Sequence, residues 1–311
     1  MKSNSSALST PLCGIIPPLV TPLLDRDTLD VAGLERLIEH VLDGGVHGLF
    51  ILGTTGEAPS LSHRLRYELI ERVCGQVKGR VPLLVGITDT CFTESVNTAD
   101  KAKAAGADAA VLAPPYYFPA GQPELLEYLE HLAPELALPL FLYNMPSHVK
   151  IVFEPETVRA AARIDGVVGM KDSSGNMAYF RRIQALLADR PDFSLLMGHE
   201  ELLAEAVLLG AHGGVCGGGN ILPKLYVDLY DAAGSKDLKT TETLHNKVMQ
   251  ISTTLYHVGH YGSSYLKGLK CALSCMGICS DFLAEPFHRF RHAEREVIRR
   301  RLEALGILQK D

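Results

Sequence analysis

Short, unbroken apolar runs alternate along this chain with longer segments in which apolar residues recur every three or four positions. A run of the first kind reads as a strand buried on both faces, and a segment of the second kind as a helix packed along one side. The pairs fall at residues 13–20 and 31–42, 46–52 and 63–77, 82–87 and 93–105, 109–113 and 123–136, 139–143 and 154–163, 167–170 and 177–187, 193–197 and 201–209, and 213–216 and 223–233. Gly44-Gly45, Gly75, Gly106, Gly210 and Gly234 stand near the predicted helix ends, where glycine stops a helix at low steric cost.

Eight strand–helix pairs in succession predict an α/β fold whose parallel sheet closes on itself, a TIM (β/α)8 barrel over residues 12–234. An open doubly wound sheet would carry a G-x-G-x-x-G turn after its first strand; here that turn reads Thr21-Pro22-Leu23-Leu24. Beyond Gly234 the strand pattern stops. Residues 238–258, 264–275 and 286–305 read as helices, so 235–311 is expected to form a C-terminal helical appendage packed on the barrel, shielding its flank or building an oligomer interface.

Composition narrows the function classes. The 311 residues are 47% apolar and 21% charged, an ordinary globular mixture with a core large enough to need no disulfide or metal staple. A net charge of −6 without a basic run argues against nucleic acid as a partner. No stretch approaches the ~20 apolar residues of a membrane span, so no membrane partner is expected. The Ser-rich residues 1–11 lack the apolar segment of a signal peptide. Seven cysteines, an odd number without a C-x-x-C pair, suit a reducing compartment, and a cytoplasmic protein is expected. Cys271, Cys275 and Cys279 have the spacing of one helical face; a metal site is conceivable, but small buried hydrophobes are the preferred reading.

In a barrel the chemistry collects at the C-terminal ends of the strands. Lys171 follows Val167-Val168-Gly169-Met170, so its stem leaves an apolar strand. Burial there disfavours the ammonium and makes the amine a nucleophile for a ketone or aldehyde, giving an imine that serves as electron sink without a metal. The competing reading pairs Lys171 with Asp172 or another barrel carboxylate. Gly53-Thr54-Thr55-Gly56 offers backbone N–H groups and two hydroxyls to a small anion, or is a simple capped turn. Tyr143 ends the fifth strand and is either a general acid/base or a packed aromatic; Tyr116 and Tyr117 share that ambiguity. Residues 213–219 hold five glycines, room for a phosphate or for close contact with another ligand, though the run contains no Lys or Arg.

Taken together, Gly53-Thr54-Thr55-Gly56-Glu57, Tyr143-Asn144-Met145-Pro146 and Gly169-Met170-Lys171-Asp172, in this order, resemble the dihydrodipicolinate synthase/N-acetylneuraminate lyase family of Schiff-base barrels over nearly the whole chain. The resemblance implies roles. Lys171 forms the imine with pyruvate, Tyr143 shuttles protons, and Thr54 sits beside it in the relay. Thr55, with nearby backbone N–H groups, holds the 2-oxo acid carboxylate, Val215 turns a carbonyl to it, and Tyr117 reaches into a neighbouring subunit's site. It implies no cofactor, pyruvate and an aldehyde as partners, and a homotetramer or homodimer. His148 stands where synthases of the family carry an arginine for the second substrate's carboxylate; a neutral imidazole does not replace that fixed cation. Glu200 and Glu201 fall where sialic acid lyases hold a sugar's hydroxyl tail, whereas Gly217 falls on those lyases' serine. The expectation is therefore a metal-independent class I lyase or aldolase, or a dehydratase working through the same imine, acting on a 2-keto-3-deoxy sugar acid or a 4-hydroxy-2-oxo acid. Alternatives are a dihydrodipicolinate synthase, a non-catalytic 2-oxo acid sensor, and a phosphosugar isomerase using the glycine-rich loop.

Overall fold

The computed structural model describes residues 8–309. Residues 1–7 of the segment read as lacking a signal peptide, and the last two of the C-terminal region, lie outside the described residues. Eight strands form one parallel sheet: β1 (Gly14–Ile15), β2 (Leu49–Ile51), β3 (Leu83–Gly86), β4 (Ala109–Leu112), β5 (Leu140–Asn144), β6 (Val167–Asp172), β7 (Ser194–Met197) and β8 (Gly213–Gly214). The pairing order runs from β1 through β8 back down to β2. The bridge Pro18↔Phe50, with Phe50 N donating to the Pro17 carbonyl at 3.0 Å and Leu19 N to the Phe50 carbonyl at 2.8 Å, joins the two ends into a (β/α)8 ring.

The helices alternate with the strands as α1 (Val31–Asp43), α2 (His63–Val77), α3 (Phe92–Ala105), α4 (Gln122–Leu132), α5 (Pro146–Val149), α6 (Pro155–Ala161), α7 (Met177–Leu186), α8 (Leu203–Leu208) and α9 (Pro223–Gly234). Side chains start several of them: Asp30 accepts from Gly33 N ahead of α1, Ser62 from Leu65 N ahead of α2, and Asn176 from Tyr179 N ahead of α7. The C-terminal helices are α10 (Leu238–Leu255), α11 (Ser264–Cys275) and α12 (His292–Ala304).

Two layers of core follow from strand alternation. Leu140, Leu142 and Met170 face the helices, while Phe50, Leu84, Val111, Phe141, Tyr143, Leu196 and Val215 fill the lumen. Three sequence expectations change. The first strand shrinks from residues 13–20 to Gly14–Ile15, because Pro17 and Pro18 have no N–H to give the ladder. The last helix begins at His292 rather than 286; the residues before it are irregular, with Phe290 sunk into the core and the Phe282 ring lying under Arg289. Finally, α11 stops at Cys275 and Gly277 turns left-handed at φ +72, so Cys279 lies past the helix and off the face of Cys271 and Cys275.

Candidate active site

β5 and β6 pair Phe141 with Gly169 and Tyr143 with Lys171. Gly169 is required here: a Cβ would stand 2.4 Å from the Phe141 ring. The resulting gap leaves Lys171 next up the strand, on the lumen side. Its residue is 6% exposed, and its Nζ lies 4.2 Å from the Tyr143 ring centroid and 5.2 Å from that of Phe50. No carboxylate among the described residues pairs with it. Asp172, on the other side of the strand, accepts instead from Asn144 Nδ2 at 2.8 Å, Ser174 N at 3.0 Å and Ser174 Oγ at 2.9 Å. Burial raises the Asp172 carboxyl above its usual range against the pull of these bonds. The ion-paired alternative for Lys171 is thereby set aside.

The loop after β2 places Thr54 Oγ1 3.1 Å from the Tyr143 hydroxyl and Thr55 Oγ1 3.2 Å from the hydroxyl of Tyr265 on α11. Leu52 and Glu57 bracket it with left-handed backbones, φ 57 and 56. The neighbouring Gly86 permits this turn, since a Cβ there would meet the Leu52 carbonyl oxygen at 2.0 Å. Thr21 Oγ1 donates to the Gly56 carbonyl at 2.7 Å. Behind the loop, Glu57 accepts from Lys270 Nζ at 2.6 Å and from Ala284 N at 2.8 Å, and Lys270 also donates to the Thr21 carbonyl at 2.8 Å.

The glycine-rich loop after β8 has a structural use. A Cβ on Gly217 would lie 1.7 Å from the Tyr265 hydroxyl, and one on Gly218 1.8 Å from the Tyr226 hydroxyl. Gly218 N donates to Glu200 Oε2 at 2.8 Å, so a carboxylate already takes an amide that a phosphate would need, which removes the support for a phosphosugar site. Val215, 2% exposed, closes the lumen below.

The two glutamates after β7 have opposite electrostatics. Glu200 Oε1 accepts from Tyr226 at 2.6 Å and Tyr256 at 2.9 Å, yet burial pushes its carboxyl up to about 7. Glu201 is also sheltered, but hydrogen bonds from His199 and Ser252 prevail and bring it down to about 2. Protein donors therefore occupy both residues.

His148 lies on the exposed helix α5 beside Ser147 Oγ at 3.0 Å; partial desolvation, then the Lys150 ammonium, hold its imidazole below the usual range. Tyr117, at φ 90, is 86% exposed, edge-on to Phe118 on the loop after β4, and is not brought to the lumen of its own chain. Thus Lys171, Tyr143, Thr54, Thr55, Val215 and Gly217 converge on the mouth. Sequence reasoning missed Tyr265 and Lys270. Lys270 left a signal, being a charge set between Leu269 and the apolar run Cys271-Ala272-Leu273; Tyr265 left none.

Fold and site together define a barrel enzyme with an unpaired lumen lysine at its C-terminal mouth. The profile of the Dihydrodipicolinate synthetase family matches residues 11–305, and the chain belongs to that family, whose members are carbon–carbon lyases. A solved structure of dihydrodipicolinate synthase from Bacteroides thetaiotaomicron is 60% identical, with a TM-score of 0.93 over 96% of this chain and 100% of that one. A probable 2-dehydro-3-deoxy-D-pentonate aldolase of Escherichia coli (strain K12) is 32% identical over 95% of this chain and 98% of its own. A prophage protein of E. coli K12, solved in complex with pyruvate, is 28% identical with a TM-score of 0.90, covering 95% of this chain and 99% of that one. No helix among the described residues is long and apolar enough to cross a membrane.

Proposed function

We propose that this enzyme holds pyruvate as an imine on Lys171 and makes or breaks the carbon–carbon bond beside it. The observation that carries the reading is the cross-strand pair of Tyr143 and Lys171, with Thr54 Oγ1 3.1 Å from the Tyr143 hydroxyl. In the cleavage direction, the Lys171 amine adds to C2 of the 2-oxo acid. Tyr143 passes a proton to the departing oxygen, which leaves as water, and the imine forms. The C4 hydroxyl then loses its proton to Tyr143, the C3–C4 bond breaks, and its electrons move into the imine as an enamine. An aldehyde departs, C3 takes up a proton, and water releases pyruvate from the lysine. Thr55 anchors the carboxylate throughout.

The substrate we favour is a 2-keto-3-deoxy sugar acid or a related 4-hydroxy-2-oxo acid. His148 supports it: a neutral imidazole occupies the position where the family resemblance calls for an arginine. The second reading is a dihydrodipicolinate synthase, favoured by the 60% identity to the Bacteroides thetaiotaomicron synthase. Side-by-side assays of pyruvate release from 2-keto-3-deoxy acids, and of pyruvate consumption with aspartate semialdehyde, separate the two. We expect the first to dominate in the wild type. We also expect His148→Arg to shift the ratio toward aspartate semialdehyde by about 10-fold or more, the strength of a charge-assisted hydrogen bond. Faster turnover of aspartate semialdehyde by the unmodified protein would establish the second reading.

A further inference from the structure

Tyr265 comes from outside the barrel, yet its hydroxyl stands at the barrel mouth. It lies in the first turn of α11, more than two hundred residues from the loop it touches, with Oη 3.2 Å from Thr55 Oγ1. The same oxygen occupies the space of a side chain at residue 217, where a Cβ would fall 1.7 Å away. Helix α11 therefore delivers to the loop after β8 a hydroxyl that the loop itself lacks.

The phenol is braced rather than loose. Its ring packs edge-on against Tyr256, centroids 4.8 Å apart, and the Tyr256 hydroxyl is fixed by Glu200 at 2.9 Å. Glu200 in turn holds Gly218 N, in the loop that Tyr265 abuts. Burial first, and the nearby Glu200 second, raise the Tyr265 phenol well above its ordinary range, so it remains a donor at neutral pH.

Hydrogen counting points to a ligand. Thr55 and Tyr265 are two hydroxyls sharing one hydrogen bond, and one bond uses one proton. Whichever donates, the other O–H is left to donate elsewhere. Thr55 Oγ1 is Tyr265's one hydrogen-bond partner among the described residues. Both hydroxyls lie beside the loop after β2 and Tyr265 is only partly buried, so the unused proton, whichever oxygen carries it, is left for a ligand at the mouth.

We propose that Tyr265 is a substrate-binding residue that, paired with Thr55, supplies a second hydrogen bond to the carboxylate of the 2-oxo acid. This rests on the imine reading above. Without Tyr265, the carboxylate would lose one of the hydroxyls that hold it, and discrimination between a charged acid and its neutral ester would fall.

The test is borohydride trapping of the intact protein with pyruvate and, separately, with methyl pyruvate, scoring the half-saturating concentration of each by intact mass. For Tyr265→Phe, which keeps the ring against Tyr256, we expect the pyruvate value to rise by about 10–100-fold while the methyl pyruvate value changes little, the signature of a lost bond to a charged group. Gly217→Ala pushes the hydroxyl aside with Tyr265 still present, and should cause the same charge-selective loss. Thermal unfolding of each variant identifies any that fails to fold, and the other then decides. If folded variants lose both compounds equally, or neither, while wild type is trapped on Lys171, the role of Tyr265 is overturned and the imine reading stands. If wild type takes no adduct from pyruvate, both fall.

Discussion

Glu57 and Lys270 form a buried ion pair, 2.6 Å from carboxylate to ammonium, with 2% and 0% of their side chains exposed. The pair fastens the loop bearing Thr54 and Thr55 to α11, so this C-terminal helix braces the loop at the barrel mouth. Each charge is satisfied a second time, Glu57 by Ala284 N and Lys270 by the Thr21 carbonyl, which is what a charge removed from water requires.

Breaking one side of this pair strands the other charge. Lys270→Met alone, or Glu57→Gln alone, is expected to destabilise the fold by about 3–5 kcal/mol. The double variant Glu57→Gln/Lys270→Met should recover part of that loss but not pyruvate affinity, because the loop has lost its tether. Urea unfolding and pyruvate saturation, measured on all three, check both parts. A double variant as unstable as the sum of the singles contradicts the pairing.

Tyr143 and Thr54 test the proton relay. Tyr143→Phe removes the hydroxyl and keeps the ring that packs on Phe50, with centroids 6.3 Å apart. Turnover should fall by about 10²–10⁴-fold, the usual worth of a positioned acid/base, with thermal stability near that of the wild type. Thr54→Val should slow turnover less, since it leaves the Tyr143 hydroxyl in place. Unchanged turnover in Tyr143→Phe would remove it from the mechanism.

Glu200 and Glu201 give stability opposite pH dependences. Glu200 is raised from 4.5 to about 7 in the folded protein. Below the unfolded value both states hold the proton and the contribution is complete. Above it the unfolded chain gives up its proton while the folded protein keeps it, so stability falls as pH rises through about 7, by roughly 1 kcal/mol per unit. Glu201, lowered from 4.5 to about 2, contributes above its unfolded value and loses that contribution as pH falls toward 2. Glu200→Gln should flatten the decline between pH 4.5 and 7 in urea titrations. An unchanged decline would place its source elsewhere.

Local rules were enough to read the barrel. Runs such as Leu83–Gly86 are apolar without alternation because lumen and helices bury both faces, and the run at Val167 to Met170 put Lys171 at a strand end. The Gly-Thr-Thr-Gly turn was visible for the same reason, being short and bounded by apolar runs. What escaped came from distance. Tyr265 reaches Thr55 across 210 positions, and Lys270 reaches Glu57 across 213, contacts that no periodicity records. The glycines at 217 and 218 looked like a ligand loop; they make room for two tyrosine hydroxyls supplied from other helices. The length of β1 failed on a local rule, since Pro17 and Pro18 ended a run that hydrophobicity alone extended.

The central claim is a covalent imine at Lys171, and borohydride reduction in the presence of pyruvate followed by peptide mapping tests it most directly. We expect a single pyruvate-derived adduct on the peptide containing Lys171, absent from a folded Lys171→Ala variant. An adduct that persists in that variant, or a wild-type protein that takes none from pyruvate, would contradict it.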